Sequence, residues 1–96
     1  MNAQIKIVAH SNVGVFVGLD AERNYVVISL DDTKVISLGD VLRSTSWDDR
    51  DGLFKAVLNE TKGESVRICI ENWDCSAAVA TDLLNRLNSP TKIVSA

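Results

Sequence analysis

Between Gln4 and Leu30 the chain alternates apolar and other residues with a period of two, segment after segment. In QIKIVAHS, Ile5, Ile7 and Ala9 alternate with Gln4, Lys6 and Val8. In NVGVFVGLD, Val13, Val15, Val17 and Leu19 stand against Gly14, Phe16 and Gly18. In NYVVISLDD, Val26, Ile28 and Leu30 stand against Tyr25, Val27 and Ser29. Alternation rich in β-branched residues is the signature of half-buried strands, and no helix presents it as one face. The intervening SN, DAERN and DDT are turn-prone and too short for crossovers, so these strands form an antiparallel meander.

VISL occurs twice, at 27–30 and 35–38, each time with an Asp two residues on. A calcium box would need more oxygen ligands at closer spacing and a distal Glu. The repeat therefore reads as two strands of one hairpin. Asp31-Asp32-Thr33 makes its turn, and Ile36 and Leu38 join Val26, Ile28 and Leu30 on the core face. Asp40 then caps a short helical turn at VLRS.

From Ser46 the period changes. SWDDRDGLFKAVLNETKG places Trp47, Phe54, Val57 and Leu58 on one helical face, with Ser46 as N-cap, Asp48 and Asp49 on the positive end of the dipole and Gly63 as terminator. Gly52 weakens that helix by about 1 kcal/mol relative to Ala. ESVRICIEN reads as a strand with Val66, Ile68 and Ile70 on one face. DCSAAVATDLLNRLNSP reads as a helix striped by Ala77, Ala80, Leu83, Leu84 and Leu87 and stopped by Pro90. TKIVSA adds a short last strand. The expectation is one domain, residues 1–96, of α+β class: an N-terminal meander of about four strands followed by helix-strand-helix, in the order ββββ-α-β-α-(β).

In that arrangement the far side of the meander, with Val8, Phe16, Tyr25 and Val27, is too apolar to be solvated. The sheet curls into a barrel, pairs with a second copy, or docks on a partner. The first three strands resemble those of SH3-like or Sm-like small barrels in their short strands and tight turns, a likeness of architecture without a motif.

Charge narrows the partners. The net charge is −3 and the pI about 4.9. Residues 1–46 carry four basic and five acidic side chains, residues 47–96 six and eight, with no cationic run. Non-specific nucleic-acid binding needs cations to displace counterions, which this composition does not supply. A nucleic-acid reading would require Lys6, Arg23, Lys34, Arg43 and Tyr25 to gather on one surface. MNAQIKIVAH lacks the pattern of a signal peptide, and no stretch nears the roughly 18 apolar residues of a membrane span. The expected location is the cytoplasm, where Cys69 and Cys75 need no partner.

Chemistry is sparse. A hydrolase needs a nucleophile, a base and an orienting acid together, and His10 beside Ser11 is more simply a strand-end residue. Cys75 at a helix N-terminus could have a lowered pKa, but Asp74 and Glu71 oppose this. Cys69-x5-Cys75 has neither zinc nor redox spacing, and Gly14 and Gly18 belong to no phosphate loop, so no metal and no cofactor are expected. WDDRD, with Trp47, Asp48, Asp49 and Asp51, reads as an acidic, aromatic-anchored contact surface to which Trp73, Phe16 and Tyr25 contribute. The expected function is a small binding or regulatory module acting by protein–protein contact, as a homodimer or as an inhibitor or immunity-type protein presenting acids. A nucleic-acid-binding β-domain and a Cys- or His-dependent enzyme are the rivals.

Overall fold

The structure, a computed structural model, describes residues 3–48 and 53–87. Six strands come before one helix: β1 (Gln4–His10), β2 (Val15–Leu19), β3 (Tyr25–Leu30), β4 (Val41–Arg43), β5 (Phe54–Asn59), β6 (Glu64–Cys75) and α1 (Ala77–Leu87). The strands close into a barrel in the order β1-β2-β3-β6-β5-β4, with every pairing antiparallel. Two three-stranded meanders thus meet along β3–β6 and β1–β4. This overturns the α+β expectation and its order ββββ-α-β-α-(β).

The helix expected from Ser46 is instead a connection followed by the β5–β6 hairpin. Phe54, Val57 and Leu58 fall at i, i+3 and i+4, but Val57 is buried while Phe54 and Leu58 face outward and are exposed. The helical stripe was made of residues from both sides of a strand. Gly63 has φ +69° and donates its N–H to Asn59 O at 2.8 Å, closing the hairpin turn. A left-handed glycine suits a helix end and a hairpin equally, so it did not discriminate.

The second VISL is no strand. β6, entering from 40 residues on, takes the β3 edge through Leu30↔Ile68 and Ile28↔Ile70. Residues 35–40 instead cross the barrel end: Ile36 is buried in the core, while Val35 and Leu38 are exposed. Asp32 accepts the amide of Thr33 at 2.7 Å and, through its other oxygen, that of Arg67 at 3.0 Å, which pins the turn to β6. Asp40 caps no helix; VLR is β4, and the Asp40 carboxylate holds its own loop by accepting the Ser37 amide at 2.9 Å.

The faces of β2 are also inverted from expectation. Ile7 pairs with Gly18, Phe16 with Ile28 and Gly18 with Val26, so Phe16 and Gly18 face inward. A Cβ on Gly18 would press into Ile5 Cδ1 and lie 3.0 Å from its Cγ1. The glycine leaves the space that the Ile5 side chain fills. Ile5, Ile7, Phe16, Val26, Ile28, Leu42, Val57, Val66, Ile68 and Ile70 fill the interior. Ile36 and Trp47 enter it from connections at opposite ends of β4. Each fully buried large side chain contributes roughly 1.5–3 kcal/mol relative to exposure.

The outward faces of β2 and β3 carry Val15, Val17 and Val27, and α1 lies over them with Ala80, Leu83 and Leu84; Tyr25, Ala9 and Cys75 join the same cluster. The apolar surplus of the first meander is therefore met by Phe16 turning inward and by the chain's own helix. Ser76 caps that helix, its Oγ accepting the Val79 amide at 3.2 Å. Ala77, expected in the stripe, is exposed. The Leu87 side chain, Pro90 and the TKIVSA strand lie outside the described residues.

Candidate functional site

α1 lies mainly against β2, β3 and β6 and meets β1 at Ala9, so the wall made by β4, β5 and the start of β1 lies away from it. Directly paired residues share a face, so the register Lys6↔Val41, Gln4↔Arg43, Arg43↔Leu58 and Ala56↔Arg67 defines what this wall presents. Along β5, Phe54 is 63% exposed and Leu58 43%, while the alternating Val57 and Asn59 are buried. Farther around the closed barrel, beyond Arg43 and Glu60, Val41 on β4, Val8 on β1 and Leu19 on β2 form a separate outward-facing stretch. There an open groove of about 340 Å³ is lined by Gln4, Lys6, Val8, Leu19, Asp20 and Val41.

Most charges along this wall are engaged. Arg43 Nε meets Glu60 Oε2 at 2.7 Å, and Gln4 Nε2 donates to Glu60 Oε1 at 2.6 Å. These two donors hold the Glu60 carboxyl below its ordinary value. Arg67 reaches Asp31 at 3.3 Å. Asp20 Oδ1 accepts the amides of Glu22 and Asn24, both at 2.9 Å, and so builds the β2–β3 turn. Lys6 is different: among the described residues its ammonium has no hydrogen-bond or ion-pair partner.

The residues expected to form an acidic, aromatic surface are dispersed. Trp47 is 2% exposed, with its indole N–H donated to Ala3 O at 2.9 Å. Phe16 is inside the barrel and Tyr25 is half-buried beneath α1. Asp48 is half-buried, and Asp49 and Asp51 lie outside the described residues. Trp73 is 37% exposed on the bulged end of β6, next to exposed Glu71 and Asp74. Asp74 sits there at φ +52°, which Asp tolerates better than most residues. Phe54, Leu58 and Val41 were missed, whereas Val8, expected on the outward apolar face, is 43% exposed. Reading FKAVLN with period two would have set Phe54, Ala56 and Leu58 on one face.

The groups considered for catalysis have structural duties. Ser11 Oγ accepts the amides of Val13 and Val15, each at 3.2 Å, and so shapes the β1–β2 turn. His10 Nδ1 lies 3.1 Å from Ser11 O. Burial raises the Cys75 thiol pKa, Asp74 adds to this, and Sγ contacts Tyr25 O at 3.4 Å. Burial raises Cys69 as well, reinforced by Glu71. Among the described residues no three of His, Cys, Asp and Glu come together as metal ligands. Of the five residues a nucleic-acid surface would need, Lys6 and Arg43 share the β1–β4 wall. Arg23 is in the β2–β3 turn, Lys34 donates to Ser65 O, and Tyr25 is under α1.

One buried polar cluster remains. Asp40, 4% exposed, accepts from Asn59 Nδ2 at 2.9 Å and from Lys62 Nζ, and Lys62 Nζ also reaches Ser37 Oγ at 3.0 Å. Burial pushes the Asp40 carboxyl up, but Lys62, Asn59 and Ser37 together hold it below its ordinary 3.8. Its oxygen is occupied by donors that fasten the β3–β4 connection to the β5–β6 hairpin, a structural role.

Comparison with protein-family models, curated proteins and solved structures found no match for this chain.

Proposed function

We propose that this chain is a small binding module that works by protein–protein contact, docking through the wall of β1, β4 and β5. The observation that carries this reading is the outward face of β5. Phe54, Ala56 and Leu58 are all exposed on it, while α1 covers the comparable apolar face of β2 and β3. Burying such side chains is worth about 25 cal/mol per Å², so an uncovered row of them on a strand marks a surface made to be covered. Large apolar side chains flanked by engaged charges are also the anatomy of an interface centre and its rim.

A photo-crosslinking residue at position 54, in the cells that make the protein, tests the reading. The expected result is a discrete protein adduct that disappears in Leu58→Asp and is absent when the crosslinker sits at Val79 on α1. Adducts of equal yield from both positions, or none sensitive to Leu58, contradict it. Sedimentation of the purified chain then separates a second copy of this chain from a different protein: a monomer at high concentration leaves the heterologous partner.

A further inference from the structure

We propose that the partner segment docks as an added β-strand, pairing its backbone with the open edge of β5 at Phe54 and Ala56. The inference rests on the docking reading above and names the occupant, a short extended stretch of polypeptide with apolar side chains at alternate positions.

The barrel's pairing runs out at the seam between β4 and β5. β4 has 3 residues and β5 has 6. β5 pairs with β6 along its whole length, from Phe54↔Cys69 to Asn59↔Glu64, but with β4 only at Leu58 and Asn59. Successive backbone groups point to opposite sides of a strand. Leu53 O accepts from Ile70 on β6, whereas the Glu60 amide donates to Val41 O on β4. The N–H and C=O of Lys55 and Val57 therefore face β6, and those of Phe54, Ala56 and Leu58 face the β4 side. Arg43 pairs with Leu58. Among the described residues nothing takes up the N–H and C=O of Phe54 and Ala56. The chain after β4 turns away from them towards β1: Ala3 O accepts the Ser44 amide at 3.0 Å and the Trp47 indole N–H at 2.9 Å.

An unpaired strand edge recognises an extended backbone, which a helix, its own groups bonded internally, does not present. The edge also limits the occupant's length. From Phe54 to Val57 it runs about 10 Å at the usual rise, and beyond that β4 holds the place. Directly paired residues share a face, so the occupant's outward side chains lie beside exposed Phe54 and Ala56. The Ala56 methyl leaves room there for a large apolar neighbour.

Amide hydrogen exchange and peptide panning on the full chain test this. In the free protein the Ala56 amide should exchange rapidly while those of Lys55 and Val57 are protected. A protected Ala56 amide overturns the open edge and leaves the exposed face of β5 available for docking. Displayed random dodecapeptides are then panned and their affinities read on wild type, Ala56→Pro and Leu58→Asp. Proline at an N–H that faces away from β6 removes no barrel hydrogen bond, so Ala56→Pro should melt as wild type does. The expected peptides carry Val, Ile or Phe at alternate positions, protect the Ala56 amide and bind Ala56→Pro about tenfold more weakly. Peptides weakened by Leu58→Asp but equally bound by Ala56→Pro, or no enrichment at all, overturn strand addition and leave the docking wall standing. Peptides indifferent to both substitutions overturn both readings. Where Ala56→Pro does not fold, protection of the Ala56 amide by bound peptide decides alone, and its absence overturns the added strand.

Discussion

Replacing Gly18 by alanine probes the phase of β2, on which the whole inside-outside assignment depends. The backbone there is not left-handed, so alanine meets no conformational strain. It also restricts the unfolded chain, which alone would stabilise the fold by about 0.4–1 kcal/mol. Against this, the new methyl overlaps Ile5 Cδ1 and lies 3.0 and 3.1 Å from Cγ1 and Cβ of the same residue. Ile5 is 1% exposed and shares the barrel interior with Ile7, Phe16, Val26 and Leu42, so it has little room to yield. Overpacking of this kind costs about 1–3 kcal/mol. The net expectation is a loss of roughly 1–2 kcal/mol, or about 5–10 °C in Tm for a chain of this size. Ile5→Val removes Cδ1 and alone costs about 0.5–1.5 kcal/mol. In the Gly18→Ala background it should cost less or stabilise, giving a coupling near 1 kcal/mol. Urea unfolding followed by the fluorescence of buried Trp47 measures all four species. A neutral or stabilising Gly18→Ala, or additive effects in the double variant, would refute the inward placement of Gly18.

Asp40 predicts an acid limb. Its carboxyl is held below 3.8 in the folded protein, so its contribution is fully present above that value and disappears as pH falls through the lower folded pKa. Asp40→Asn should cost about 1.5–3 kcal/mol at neutral pH and flatten stability below about pH 4; parallel pH curves for the two proteins would count against the cluster. Cys75, its pKa raised by burial and Asp74, should alkylate at pH 7.4 more slowly than free glutathione, and faster labelling would revive a reactive thiol.

The parts of the fold legible in the sequence were those with one clean period. β1 and β3 were visible because their inward Ile5, Ile7, Val26 and Ile28 follow strict alternation, and α1 because Ala80, Leu83 and Leu84 form a stripe. β2 was found but turned inside out. It is apolar on both faces because one faces the core and the other faces α1, and only the fit of Gly18 to Ile5 distinguishes them. The VISL repeat misled because the edge of β3 belongs to β6, a pairing set by tertiary closure that local pattern does not encode.

The candidate site was illegible for a related reason. Phe54 and Leu58 are apolar residues at outward positions, and that departure from patterning produced the false helix over 46–63. Local rules fail where a residue serves a surface rather than the core, so the error falls on the proposed docking wall itself. The Trp47 reading failed in the other direction. Its flanking acids suggested a surface, whereas the indole is in the interior and bonded to Ala3 O. Trp73 keeps its exposure but lies on β6 past the Phe54↔Cys69 end of its pairing with β5, away from Trp47.

The central claim is that α1 covers one apolar side of the barrel and leaves the wall at Phe54 and Leu58 open to a partner. Relaxation of side-chain signals by a soluble paramagnetic chelate tests it on the free protein. Strong relaxation of Val8, Leu58 and the Phe54 ring is expected, with Val15, Val17 and Val27 protected. Protected Leu58 and Phe54 alongside strongly relaxed Val17 and Val27 would contradict it.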